Sequence, residues 1–360
     1  MSESIHRADS FDAHAKVPEV SKETGELFFI SDAATTQDFP HDAAHGVFEF
    51  AATTRVNDAL HALADRGFLS APVWDEEKRA YLGFVDVFDL CSLVVGVDLI
   101  AHLLPASVFR KHQRIDEKPT TLASLFQDDG GADAFSKWDP VFEGAPFKDV
   151  VRILASGARR VPVVSRATGR VTQIISQSAV VAALYERFRA HPDKVLVDSP
   201  ASTGIGIKPV FIVRDYDETR LAFLTMVDKR ISAVGVVESA TGELLTCISS
   251  KDIRMVPKLE TALTSGRSVL DLPCREFVAL VRRTTEKLGK SHAAIVTCEE
   301  HAPLCTVLGK LAATKMHRVF IVDKDNKPVG IVSVSDVLVA LNEIQPQQRA
   351  AGSSASKASA

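Results

Sequence analysis

Two serines and an aspartate, Ser333, Ser335 and Asp336, follow the apolar run Val329-Gly330-Ile331-Val332, and a helical pattern begins with them. His317 and Arg318 stand just before a second apolar run, Val319-Phe320-Ile321-Val322. These residue types suit one kind of chemistry. An ionised carboxylate only accepts hydrogen bonds, and it can take them from two adjacent hydroxyls such as those of a sugar diol. The backbone N–H groups at a helix start favour an anion and keep such a carboxylate charged. Serine hydroxyls, arginine and histidine can contact anionic oxygens. A simpler role competes, because a serine or aspartate ahead of a helix caps it for about 1 kcal/mol. The two roles are compatible.

To present these groups, the chain needs two strands, a polar turn between them and helices on either side. That unit recurs four times at roughly 70 to 90 residue spacing. In the first copy Val56, Ala59, Leu60, Leu63 and Ala64 share one helical face, followed by SAPVWDEEKRAYLGFVDVFDLCSLVV. In the second, Phe147, Val150, Val151 and Leu154 precede RRVPVVSRATGRVTQIISQSAVVAAL. The third has a weaker face around Leu221 and Leu224, then KRISAVGVVESATGELLTCISSKDIRMV. In the fourth, Leu304, Val307, Leu308, Leu311 and Ala312 lead into the segment described first. The pattern predicts copies at 40–98, 134–190, 203–262 and 290–345, with longer connections near 99–133 and 256–290. Residues 1–35 and 346–360 are polar or low in complexity and are expected to be disordered. So small a unit cannot bury both faces of its sheet alone, so pairing of copies is expected.

The composition fits a globular protein: 360 residues, 46% hydrophobic and 24% charged, enough for about two domains. The formal net charge of −4 does not suggest a nucleic-acid partner. Five cysteines in irregular contexts argue against a disulfide framework and for a reducing compartment. There is no secretory signal pattern and no run of about 18 apolar residues, so no membrane partner is expected and the location is cytoplasmic, or nuclear as well.

The segments Ala71-Pro72-Val73-Trp74-Asp75, Arg159-Arg160-Val161-Pro162-Val163-Val164, Arg230-Ile231-Ser232-Ala233-Val234 and His317-Arg318-Val319-Phe320-Ile321-Val322-Asp323 precede related strand and helix-opening motifs. In this the chain resembles four-repeat cystathionine beta-synthase (CBS) domain proteins, above all the gamma regulatory subunit of AMP-activated and SNF1-type kinases. The resemblance implies an α/β fold of α+β repeats, paired into two tandem modules that pack as a pseudo-symmetric disc. It implies AMP, ADP or ATP bound between paired repeats as a regulatory ligand, with no catalytic cofactor, and kinase alpha and beta subunits as partners. The aspartate opening each last helix would hold the ribose. By that likeness Asp336, Asp252 and Asp89 are ribose-binding candidates, while Ser333, Ser335, Ser249, His317, Arg318, Arg230, Arg159 and Arg160 would contact phosphate or hydroxyl groups. Copy four matches best. Copy three keeps Ser249 and Asp252, with Lys251 between them and Lys229-Arg230 as its basic position. Copy two has Ala179 in the aspartate position, and the kinase subunit also lacks that aspartate in its second repeat. Copy one keeps Asp89, but Asp86 and Phe88 replace the small hydroxyl residues and Leu69 stands where a basic residue is expected. A phosphate near Asp86 would be repelled.

Other constellations are weaker. His292, Cys298, His301 and Cys305 fit no standard zinc spacing, and His41 with His45 lacks a third ligand. Gly204-Ile205-Gly206 lacks the third glycine of a phosphate cradle, and Lys208-Pro209 after it reads as loop. No nucleophile elbow is present. The repeats occupy nearly all the patterned chain, so a non-catalytic regulator is expected. A ligand-independent scaffold for a phosphatase or another signalling protein is the alternative.

Overall fold

The computed structural model describes residues 34–39, 46–87, 90, 121–126, 138–190, 208–260, 268–287 and 295–340. Asp89, Phe88, Gly204, Gly206, His41, His45 and His292 lie outside the described residues, as do residues 1–33 and 341–360.

Each copy forms one three-stranded sheet, with the strands in chain order. The strands are β1 (Phe50–Ala51), β2 (Ser70–Asp75) and β3 (Ala80–Asp86) in copy one, and β4 (Val141–Phe142), β5 (Arg160–Val164) and β6 (Val171–Ser176) in copy two. Copy three has β7 (Ile212–Arg214), β8 (Ala233–Val237) and β9 (Leu244–Ser249), and copy four has β10 (Thr297–Glu299), β11 (Arg318–Val322) and β12 (Pro328–Ser333). The second and third strands form the antiparallel hairpin expected from the polar turns. The first strand, which the repeat pattern does not reveal, pairs parallel to the second. It is only two or three residues long, too short to show alternation, and a parallel pair needs the intervening crossover helix. Those helices are Val56–Arg66, Phe147–Ala155, Thr219–Lys229 and Leu304–Thr314. In copy three the buried face is Ala222, Phe223 and Met226, whereas Leu221 points outward at 46% exposure. The apolar residues there are too continuous for sequence spacing to choose the face.

The copies share two backbone devices. The hairpin register slips at one residue in each, between Val73 and Trp74, Val163 and Val164, Val236 and Val237, and Ile321 and Val322. Each crossover helix is followed by a residue at positive φ: Gly67 (76°), Gly157 (108°), Arg230 (52°) and Lys315 (54°). This left-handed stop turns the chain back toward the sheet. Two residues later come Leu69, Arg159, Ser232 and His317.

Copies pair in two ways. Copies three and four pack sheet to sheet through Val237, Leu244, Phe320 and Val322. A Cβ on Gly235 would lie 3.4 Å from the Phe320 ring, so the glycine permits this close approach. Copies one and two meet where Trp138 stacks on Tyr81 at 4.8 Å, Arg170 lies 4.0 Å from the Trp74 ring centre, and Arg170 pairs with Glu49. Across these pairs the helices close the ring. One apolar core combines residues of copies one and three, including Leu63, Val85, Phe223 and Phe277. A second combines copies two and four, including Phe147, Leu184, Leu308 and Leu338. The four copies therefore form a closed cycle in the order one, two, four, three.

Segments outside the repeats seal this arrangement. Ala34 and Phe39, buried at 0% and 3% exposure, pack on copy two, with Phe39 stacked on Phe147 at 5.2 Å. The end of the N-terminal stretch expected to be disordered is thus part of the core. The connection between copies three and four contains the helix Cys274–Lys287, which buries Phe277, Val278 and Val281. Phe320 is 1% exposed and central to the contact between copies three and four. Phe320→Ala should destabilise the protein by about 3–5 kcal/mol, read from denaturant melts.

Candidate functional site

The inner ends of the hairpins bring the candidate residues together. The register aligns Ser70 with Asp86, Arg160 with Ser176, Ala233 with Ser249, and Arg318 with Ser333. The last residue of the third strand is therefore serine in copies two, three and four, and aspartate in copy one.

In copies three and four this serine and the aspartate three residues later form a reciprocal cap. Asp336 Oδ2 accepts from the Ser333 N–H at 2.8 Å and from its hydroxyl at 2.7 Å, while the Asp336 N–H donates to Ser333 Oγ at 3.3 Å. Asp252 Oδ2 accepts from the Ser249 N–H at 2.7 Å and its hydroxyl at 2.9 Å. Asp252 opens a 3-10 turn, Ser250–Met255, rather than a regular helix. The capping role is thus realised at both positions, and each cap uses one carboxylate oxygen. At Asp252, Oδ1 accepts no hydrogen bond among the described residues. At Asp336, 6% exposed, Oδ1 is paired with the Lys208 ammonium, whose side chain is 63% exposed. Sequence spacing gave no sign of Lys208 as a partner, because 128 residues separate the two. Ser335 does not face this carboxylate: its hydroxyl donates to Gln177 Oε1 at 2.8 Å and ties copy four to copy two. Gln177 in turn donates to the backbone carbonyls of Leu154 and Ala158.

The basic residues converge from three copies. Arg318 is 9% exposed and donates to Ser232 Oγ at 2.7 Å. Arg160 donates to Ser70 Oγ at 2.5 Å in the other pair. Arg159 forms an ion pair with Asp86 at 2.6 Å, and that aspartate is only 3% exposed. His317 lies among these groups. Burial first, and then the charges of Lys251, Arg318, Arg160 and Arg159, hold its pKa well below the usual 6.5, so it is neutral near pH 7. Burial also pulls Arg318 below its usual value and pushes the adjacent Cys247 thiol up to about 11. Among the described residues Arg318 makes no ion pair and its side-chain hydrogen-bond partner is the neutral Ser232, while the Asp252 carboxylate acts on it through space and offsets part of its charge. A guanidinium has five N–H donors, and removing one from water without a counter-charge costs several kcal/mol. The arrangement is therefore suited to an anion.

Arg230 does not join this cluster. It is the exposed left-handed residue after its helix, in the position that Lys315 takes in copy four, and the charges acting on His317 come from elsewhere. The basic positions of copy three are occupied by Ser232 and Ala233, while Lys251, not singled out from the sequence as a ligand, contributes its charge to the centre. Matching by residue type put the pair three residues early, since the left-handed stop can be Gly, Arg or Lys. Among the described residues no group of three or more His, Cys, Asp or Glu is placed to hold a metal ion, and no helix is long and apolar enough to cross a membrane.

The CBS domain family matches residues 291–343. The chain is 26% identical over 304 residues to the 5'-AMP-activated protein kinase subunit gamma of Dictyostelium discoideum, covering 81% of this chain and 48% of that protein. It is 25% identical over 290 residues to the gamma-3 subunit of Bos taurus, covering 80% and 54%. It is 30% identical over 197 residues to protein SDS23 of Saccharomyces cerevisiae, covering 50% and 36%. The chain thus spans about half the length of the kinase subunits it matches. Among solved structures, protein MJ1225 of Methanocaldococcus jannaschii shares the fold, with a TM-score of 0.61, 14% identity, and coverage of 85% of this chain and 99% of that one.

Two outcomes follow from the geometry. The His317 pKa is lower folded than unfolded, so below about pH 6.5 the unfolded chain binds more protons and stability falls as the pH drops. Acidification from about pH 7.5 to about pH 5.5 should therefore lower the melting temperature of the wild type more than that of His317→Gln. Arg230→Gly removes a non-glycine left-handed residue and should stabilise the fold by on the order of 1 kcal/mol in denaturant melts.

Proposed function

We propose that this chain, a four-repeat CBS-domain protein resembling the gamma subunits of AMP-activated protein kinase, is a non-catalytic regulatory subunit that binds adenine nucleotides. In this reading AMP, ADP or ATP enters between copies three and four. Its ribose hydroxyls bind the carboxylates of Asp252 or Asp336, and its phosphates meet Arg318, Lys251 and the neutral His317, with Arg160 nearby. The observation that carries this reading is Arg318: a nine-tenths buried guanidinium whose described side-chain partner is a neutral hydroxyl. Phosphate oxygens would supply the direct ion pair that the described residues do not make to Arg318.

The Lys208 pair on Asp336 fits the same reading. Lys208 is largely exposed but the Asp336 carboxylate is buried, so sugar hydroxyls that displace the ammonium have to replace its hydrogen bond to the carboxylate oxygen. The freed ammonium then lies near an anionic ligand. Regulation would follow if AMP and ATP favour different conformations of the ring, because a ligand shifts an equilibrium only by its difference in affinity for the two states. Kinase alpha and beta subunits are the partners this reading assigns.

A second reading, a ligand-independent scaffold, is favoured by one observation. Asp336 holds Lys208 and Arg159 holds Asp86, so two of the candidate groups already have internal counter-ions. Native mass spectrometry of the purified chain separates the two readings, because carried-over nucleotide supports the first and its absence, with no uptake on adding AMP, supports the second. In calorimetric titrations with AMP, Arg318→Ala and Asp336→Ala should each weaken binding by roughly 10- to 100-fold, the loss of one charge-assisted contact. Unchanged affinity in both variants would rule out this site.

A further inference from the structure

By register Arg160 is the equivalent of Arg318 and it too meets a serine, Ser70, but the pair of copies one and two adds a second arginine, Arg159, where copy four has His317. In the pair of copies three and four, Arg318 is buried and meets the neutral Ser232. In the pair of copies one and two, Arg159 is 40% exposed in its side chain and meets a carboxylate, Asp86, at 2.6 Å. Asp86 ends β3 at the register position where the other copies have Ser176, Ser249 and Ser333. The serines of copies three and four donate their hydroxyl protons to the aspartate three residues on. An ionised Asp86 has no proton to give and adds a negative charge instead. It is 3% exposed, so the carboxylate is built into the wall rather than hanging in solvent.

We infer that Asp86 is a built-in anion that takes the place of a nucleotide phosphate on Arg159 and closes the pair of copies one and two to nucleotide. The inference rests on the proposed nucleotide-binding reading and adds which half of the ring is used. A phosphate entering beside Arg159 would have to displace a buried carboxylate 2.6 Å from the guanidinium and then sit against its negative charge. Asp86 also neutralises one of the four cations that act on His317, so the internal anion supports the centre in the absence of ligand. The half with copies three and four keeps a buried guanidinium with no direct ion pair among the described residues, and an external anion is directed there.

The test compares AMP titrations of the wild type, Asp86→Ser and Asp86→Ser/Arg159→Ala by calorimetry. Asp86→Ser restores the serine of the other three copies, and the exposed side of Arg159 lets water solvate the released charge, so the fold should survive. Asp86→Asn serves as a second variant of nearly the same shape without the charge. The expected result is one more equivalent of AMP bound by Asp86→Ser, or by Asp86→Asn, than by the wild type, with that equivalent lost again in the double variant. Equal numbers of equivalents in the wild type and in both single variants, with unchanged thermal melts, would overturn the inference while leaving wild-type binding intact. Binding by the variants alone, with none by the wild type, would uphold the inference and remove the proposed use of copies three and four. No binding by any of them would overturn both.

Discussion

The structure depends on gathering like charges at one point. Arg159, Arg160, Lys251 and Arg318 act together on His317 where the copies meet, and the repulsion is felt most at Arg318, the buried one of the four. Several features limit the cost. His317 gives up its proton, Asp86 neutralises Arg159, and serine hydroxyls from the partner copies take hydrogen bonds from Arg160 and Arg318. What remains is the Arg318 guanidinium, hydrogen-bonded to a neutral oxygen and offset only through space by Asp252. The two apolar cores hold the centre in place because each joins copies that are not neighbours in sequence.

The fourfold backbone and the unequal side chains have separate roles. A register slip, a left-handed stop and a short parallel strand recur in every copy and fix where each hairpin ends. Side chains at those fixed positions can then vary without disturbing the fold. The third strand ends in serine three times and aspartate once, and the residue three further on is aspartate in copies three and four but Ala179 in copy two. One scaffold thus presents a carboxylate with one oxygen that accepts no hydrogen bond among the described residues, a carboxylate carrying a lysine, and an arginine already neutralised. Apart from the 3-10 turn that Asp252 opens, the differences between copies at these equivalent points are changes in charge.

Capping and ligand binding also coexist in the same carboxylate. Asp252 and Asp336 use one oxygen to hold the serine N–H and hydroxyl, and the other oxygen takes no part in the cap: at Asp336 it meets Lys208, and at Asp252 it accepts no hydrogen bond among the described residues. The cap fixes the carboxylate's orientation, so a ligand would meet an acceptor already in place.

The sequence by itself determined the four repeats, the hairpins, most of the helical faces and the placing of Ser333 and Asp336 at a strand-to-helix mouth. Those features are local: alternation, helical spacing and capping types act over a few residues. It also showed that copy one departs from the others at Asp86. The tertiary structure decided what each charged group meets. Lys208 on Asp336, Asp86 on Arg159 and Ser335 on Gln177 join residues 73 to 158 positions apart, and no local pattern encodes such pairs. It likewise moved Arg230 out of the site, because the left-handed stop fixes the register of the following strand and any of several residue types can occupy it. Closing the ring in the order one, two, four, three settled the rest, since only packing between copies distant in sequence brings cations from three of them to one buried centre.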